Sequence, residues 1–299
     1  MLNGIHFLLT YTCNYECDHC FLYCSPNSKG IFQLKQIQQI LDDAKKIESM
    51  EWIYFEGGEP FLYYPILLKG IGLAKKNGFK TGIVTNCYWA TSIEDAKVWL
   101  QPFKDLNIDD FSISNDLFHF ESEETNLATN VQKASKDLGI SVNNICIDNP
   151  TLKSYDKQKS EKGKPIIQGG TMFRGRAADL LTEKLPKINW RELTQCPYEE
   201  LKKPERVHID PFGNVHICQG ITIGNIFQTP IYKLIKNFDP YSNPIISSLL
   251  NGGPAKLVTD FNVFLRENYV DECHLCYRAR KYLLERFPET LRPKQVYGL

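Results

Sequence analysis

Hydrophobic positions along the chain fall into short runs at intervals near thirty residues, separated by amphipathic stretches. Strand-like apolar runs begin near Ile5, Trp52, Lys80, Asp110 and Ser141, with a sixth near Pro165. Helical periodicity fills the gaps over Leu34 to Ser49, Tyr64 to Asn77, Ser92 to Leu106 and Thr125 to Leu138. In the third of these, Ile93, Ala96, Val98, Trp99, Leu100 and Phe103 form the apolar face, read as core, and Ser92 with Asp95 predicts a capping box. Alternating strand and helix implies parallel strands, and the expected outcome is an α/β partial barrel with its functional loops at the C-terminal strand ends.

Four polar elements fall at those ends. The run CNYECDHCF carries Cys13, Cys17 and Cys20 after the first strand. Zinc ligands usually come as two Cys-x2-Cys-like pairs, whereas three thiolates in a lone triplet suit a cubane iron-sulfur cluster with one open iron, where a small chelating molecule can bind. After the second strand, WIYFEGGEP offers the Gly57 and Gly58 backbone for close approach, with the Glu59 carboxylate placed to pair with an ammonium group. Thr85-Asn86 and Ser112-Ile113-Ser114 end the next two strands. Cys87 follows Thr85-Asn86 and is a candidate hydrogen-atom donor if it reaches the mouth. The bland expectation for Cys24, Cys87 and Cys146 is small buried residues.

The polar segment Asp148 to Lys164 reads as a solvated linker or a lid. Beyond it, Cys196, Cys218, Cys273 and Cys276 form a second set, and four thiolates can close a cluster or hold a structural zinc ion. Val207, Ile209, Val215 and Ile217 alternate around the turn Phe212-Gly213-Asn214 and predict a β-hairpin. His208 and His216 are expected to be solvated strand residues, His274 to sit at the surface or behind the ligands, and His19 to neighbour the triplet without being a ligand.

The triplet, with Phe21 directly after it, and the Gly57-Gly58-Glu59-Pro60 motif resemble the signatures of the radical S-adenosylmethionine (radical SAM) superfamily. That resemblance implies a (β/α)6 TIM-like partial barrel and a 4Fe-4S cluster on Cys13, Cys17 and Cys20, whose unique iron binds S-adenosylmethionine. Reductive cleavage would then give a 5'-deoxyadenosyl radical that abstracts a substrate hydrogen. Cofactor contacts are implied for Phe21, Gly57, Gly58, Glu59, Pro60, Thr85, Asn86, Ser112 and Ser114, and for Arg176 of FRGRAADL as a carboxylate clamp. The C-terminal third resembles the SPASM and Twitch auxiliary-cluster domains, through Gly213-x4-Cys218 and Ile223-Gly224-Asn225. No cysteine follows Cys276, so the one-cluster Twitch version fits, with a second 4Fe-4S cluster on Cys196, Cys218, Cys273 and Cys276.

The domains implied are a barrel over 1–190 and a hairpin-plus-helix cluster domain over 191–299. By the same resemblance the substrate is a peptide to be oxidised, crosslinked or epimerised, or a small metabolite to be dehydrogenated, and the reductant is flavodoxin or ferredoxin. Four residues before the first strand leave no room for the N-terminal peptide-recognition domain of many relatives, which weakens the peptide reading. A non-catalytic iron-sulfur or zinc binding protein is the alternative from another class.

Composition narrows the setting. Of 299 residues 42% are hydrophobic, and 35 Lys and Arg balance 35 Asp and Glu, so no net field favours nucleic acid or an anionic membrane. No run approaches the roughly 20 apolar residues of a membrane span, and the opening MLNGIHFLLTYTC lacks the basic n-region of a signal peptide. Ten cysteines in a chain this long point to metal ligands in a reducing cytoplasm rather than a disulfide scaffold.

Overall fold

The computed structural model describes residues 1–122, 125–152, 167–263 and 266–299. Most of the expected linker or lid at Asp148 to Lys164 therefore lies outside the described residues. Five strands lead: β1 (Gly4–Thr10), β2 (Trp52–Gly57), β3 (Lys80–Thr85), β4 (Asp110–Ser114) and β5 (Asn143–Ile145). They pair in parallel in that order, and α1 (Leu34–Ala44), α2 (Tyr64–Lys76), α3 (Ile93–Asp105) and α4 (Ala128–Leu138) make the crossovers. This is the α/β parallel-strand architecture of a partial barrel.

Period-two patterning decides which way each strand faces. Ile5, Phe7, Ile53, Phe55, Ile83, Phe111 and Ile113 are buried on the outer, helix-packed face, where Phe7 stacks on Phe55 at 5.1 Å. Phe61, Trp89, Phe103 and Phe111 complete that layer, with the rings of Phe61 and Trp89 stacked at 4.5 Å. The alternate positions form one register row across the inner face, in the order His208, His6, Tyr54, Gly82, Asp110.

The sixth parallel strand is not the run near Pro165. There β7 (Ile167–Gln168) pairs antiparallel with β6 (Thr151–Leu152) in a separate two-stranded ribbon, too short to bury an apolar face. Instead β9 (Arg206–Ile209) lies parallel to β1 on its free side, and β10 (Asn214–Cys218) and β11 (Ile221–Asn225) continue antiparallel. One eight-stranded sheet results, ordered β11-β10-β9-β1-β2-β3-β4-β5. Behind it come α5 (Arg176–Leu180), β8 (Ile188–Asn189), α6 (Ile231–Lys236), α7 (Pro244–Phe261), β12 (Asn268–Tyr269) and α8 (Glu272–Leu283). Among the described residues no helix is long and apolar enough to cross a membrane.

This placement corrects the expectation for two histidines. His208 and His216 are buried because the hairpin is internal to the sheet rather than a solvated edge. His216 bonds Asp210, whose carboxylate also takes the Tyr11 hydroxyl and the Asn214 backbone N–H, tying the end of β1 to the hairpin turn. On α3, Ser92 does accept the Asp95 N–H, but Val98 is 74% exposed while Ala96, Leu100 and Phe103 are buried. Two residues from Leu100, Val98 is turned by about 200° onto the solvent side.

Leu100→Ala should lower unfolding free energy by about 2–5 kcal/mol, and Val98→Ala should change it by less than about 0.5 kcal/mol. Urea unfolding of both variants measures this; comparable losses would contradict the assigned face.

Candidate functional site

One cavity gathers the C-terminal ends of β1 to β5. Cys13, Cys17, Cys20 and Phe21 come from the loop after β1, Gly57 and Gly58 from the end of β2, Thr85 and Asn86 from β3, and Ser114 from β4. The Gly58 position touches the β1 loop so closely that a Cβ would lie 2.2 Å from the Thr12 carbonyl oxygen. Only glycine allows the two loops to meet there.

Backbone and side-chain N–H groups surround the sulfurs. Tyr15 N donates to Cys13 Sγ at 3.4 Å, Cys24 N to Cys20 Sγ at 3.4 Å, and Asn86 Nδ2 reaches Cys13 Sγ at 3.6 Å. Burial pushes the Cys13 thiol up to about 12, whereas the hydrogen bond from the Cys24 thiol holds Cys20 down to about 6.

Glu59 is not spent where its sequence position suggests. It is fully buried, and its Oε1 accepts from Phe61 N at 2.9 Å and Thr85 Oγ1 at 2.8 Å, while Oε2 accepts from Asn86 N at 2.7 Å. The residues of this loop that line the cavity are the glycines, and Glu59 fixes them relative to β3. Burial lifts its carboxyl from the ordinary 4.5 to about 7, because the three donors offset only part of the desolvation of the charge.

Arg176, expected as a carboxylate clamp, is likewise engaged by the protein itself. Its guanidinium donates to the carbonyls of Cys17 at 2.7 Å and Cys24 at 2.8 Å, and its own N–H to Cys20 O at 2.9 Å, so it fastens the cysteine loop. Gly175 before it has φ of +60°, and a Cβ there would sit 2.5 Å from the Phe21 backbone. Cys87 is fully buried off the cavity with its thiol toward Thr85 O, Ser112 bonds Asp110 below the mouth, and Pro60 only starts a buried 3-10 turn (Pro60–Tyr63).

The second cysteine set also converges. Cys196, Cys218, Cys273 and Cys276 line one pocket together with two buried cations, Arg174 and Arg280. Arg174 Nη1 lies 2.9 Å from Cys218 Sγ, its Nη2 pairs with Glu199 at 3.0 Å, and Arg280 holds the Gln219 carbonyl at 2.7 Å. His274, at the start of α8, is buried rather than superficial and accepts the Val270 N–H. Cys146 alone of the remaining thiols is exposed. Among the described residues, which include all ten cysteines, the only groups bringing three potential ligand atoms within 4.8 Å of one another are His6–Glu56–His208 and His19–Asp116–His119.

Residues 7–143 match the family model described as the radical SAM superfamily. That stretch, just under half of the chain, contains the cysteine triplet and the Gly57–Gly58 loop. YydG of Bacillus subtilis strain 168, named for peptide biosynthesis, is 27% identical over 134 residues, 44% of this chain and 42% of that protein. The tungsten-containing aldehyde ferredoxin oxidoreductase cofactor-modifying protein of Pyrococcus furiosus is 37% identical over 79 residues, 26% of this chain and 22% of that one. The chain thus matches less than half the length of these curated relatives. The crystal structure of BtrN in complex with AdoMet and 2-DOIA superposes with a TM-score of 0.51 at 14% identity, covering 79% of this chain and 83% of that one, which shows a shared fold.

The cavity is also lined by His19, the expected neighbour of the triplet, and by His119 and Glu56, which lie outside the motifs. His19, against Phe118, keeps a buried Nδ1 without a partner among the described residues, and burial pushes its pKa down to about 4. His119 bonds Asp116 at 2.8 Å beside it. Glu56, immediately before the glycines, faces the barrel interior. Burial would raise its carboxyl, but the imidazoles of His6 and His208 override this and hold it below the usual carboxylate range.

The raised Glu59 pKa makes a pH prediction. Its contribution to stability is full below pH 4.5, where the carboxyl is neutral folded and unfolded, and is lost as pH rises through about 7. Compared with Glu59→Gln, the wild type should lose about 3 kcal/mol over that window. Urea midpoints at several pH values measure the difference; parallel profiles would mean that Glu59 titrates like an exposed carboxylate.

Proposed function

We propose that the chain is a radical SAM enzyme that modifies a peptide, holding one 4Fe-4S cluster on Cys13, Cys17 and Cys20 and an auxiliary 4Fe-4S cluster on Cys196, Cys218, Cys273 and Cys276. The observation carrying this reading is the convergence of each cysteine set on one pocket. A tetrahedral zinc ion with bonds of about 2.3 Å draws its thiolates to about 3.8 Å from one another. Here the three thiols of one loop share a cavity with the Gly57–Gly58 backbone, and four thiols from separate elements share a second pocket, so each set has room for a polyatomic cluster. When bound, the first cluster and S-adenosylmethionine supply a 5'-deoxyadenosyl radical that abstracts hydrogen from the substrate.

The protein's own residues bind and orient. Three thiols leave one cluster position for the cofactor, the Gly57–Gly58 backbone and the Asn86 and Ser114 side chains line the space beside it, and Glu59 and Arg176 keep the loops in place. Arg174 and Arg280 offset the negative charge that four thiolates bring to the second pocket. Cys87, buried off the cavity, has no part in this reading.

The hairpin and α8 that carry most of the second set support a Twitch-type domain from about residue 191 onward. The peptide-biosynthesis name of the Bacillus relative favours a peptide substrate, and the cofactor-modifying name of the Pyrococcus relative favours a small-molecule alternative. Ten unpaired cysteines suit a reducing cytoplasm and a one-electron donor such as flavodoxin or ferredoxin.

Anaerobically reconstituted protein should contain about eight irons per chain, falling to about four when Cys13, Cys17 and Cys20 are all replaced by Ala. Cys13→Ala alone should abolish 5'-deoxyadenosine formation, measured by mass spectrometry. Zinc in place of iron at the second set would refute the auxiliary cluster, and a reduced, fully loaded protein that never cleaves S-adenosylmethionine would favour a binding role.

A further inference from the structure

His6, Glu56 and His208 come from β1, β2 and β9, the three strands at the junction of the two halves of the sheet, and their side chains meet on its inner face. His6 Nδ1 lies 3.2 Å and His208 Nε2 3.0 Å from the same oxygen, Glu56 Oε1, and the three atoms are mutually within 4.8 Å. The register pairing of His6 with His208 and the His6 ring stacked on Tyr54 at 4.5 Å keep both imidazoles in this row. The group is not sealed: the His6 and Glu56 side chains are 15% and 20% exposed.

Hydrogen bonding alone leaves the group incompletely satisfied. His208 Nε2 faces the Glu56 acceptor at 3.0 Å and the Gln219 amide nitrogen at 3.4 Å, and a single ring nitrogen cannot donate to the first while accepting from the second. Gln219 is 94% buried by its 6% exposure, and among the described residues its Oε1 has no hydrogen-bond partner. Turning that amide by 180° puts its oxygen where its nitrogen lies, 3.4 Å from His208 Nε2. Two imidazole lone pairs, a carboxylate oxygen and an amide oxygen would then converge.

We propose that His6, Glu56 and His208, with Gln219 behind them, bind one divalent transition-metal ion at a site separate from both cysteine sets. Two nitrogens and a carboxylate suit Zn²⁺, Fe²⁺ or Mn²⁺, whereas Ca²⁺ and Mg²⁺ favour all-oxygen shells. Glu56 lines the cysteine-triplet cavity and His6 lines the neighbouring cavity that contains Glu199, the partner of Arg174 at the second cysteine set. The ion would therefore stand between the two centres, with its remaining positions facing the barrel interior for water or an oxygen donor of a substrate. The inference does not depend on what reaction the radical site performs.

The test uses anaerobically reconstituted protein with both cysteine sets filled. Zn²⁺ is titrated calorimetrically, and Mn²⁺, a hard ion with little liking for thiolates, is followed by loss of the free ion's electron paramagnetic resonance signal. Wild type should take up one Zn²⁺ more per chain than Glu56→Gln or His208→Ala, and both variants should bind Mn²⁺ roughly tenfold or more weakly. His119→Ala, in the other histidine–carboxylate group, should bind like wild type. Iron content and far-ultraviolet circular dichroism identify variants that are folded, and His6→Asn supplies a second test if either of the others is not. Equal uptake by wild type and the folded variants, or loss in His119→Ala alone, would overturn the proposal.

Discussion

The buried carboxylate of Glu59 is the constraint on which the cavity depends. Its two oxygens join the turn after β2 to the end of β3, while the N–H groups of Gly58 and Glu59 reach back to the Thr10 and Thr12 carbonyls at the end of β1. Three strand ends are thereby held in one relation, and the cysteine loop, the glycine loop and Asn86 inherit it. Hydrogen bonds to a charged acceptor contribute about 1.5–3 kcal/mol each, yet isolating the charge from water works against them. The local balance is close enough for the proton to matter.

The second cysteine set solves its electrostatics differently. Where the triplet relies on N–H groups of its own loop and of Asn86, the quartet is faced by whole guanidinium charges, one from the segment before α5 and one from α8. Arg174 also pairs with Glu199, so its position does not depend on the sulfurs alone. Arg176, two residues on, serves the other set through the carbonyls of Cys17 and Cys24. The short run from Arg174 to Arg176 thus braces both centres.

Much of this was legible in the chain because it is locally encoded. Strand spacing, the Ser92 cap and the Cys13–Cys17–Cys20 triplet depend on neighbours in sequence, and the structure places them accordingly. What could not be read from the chain are partners that lie far away in it. Glu59 looked available for a ligand because its acceptors' donors, on Thr85 and Asn86, are 26 and 27 residues distant. Arg176 looked like a clamp because the carbonyls it holds are more than 150 residues earlier. His208 and His216 looked solvated because nothing in the hairpin's own alternation reveals that β1 lies beside it. Val98 was a different failure, an apolar residue counted into a helical stripe whose angle it does not share.

The pairing of β9 with β1 has a consequence in time as well as space. Parallel contacts between Gly4 and Arg206, or Phe7 and Ile209, close a loop of about two hundred residues, and such non-local pairings form late because the chain entropy they remove is not recovered until they are made. During synthesis the cysteine triplet therefore emerges on a sheet whose β1 side is still open, well before the second set exists. His6 meets its register partner only when that edge closes. Order of assembly is thus written into the topology, with the N-terminal loop exposed long before the interior is complete.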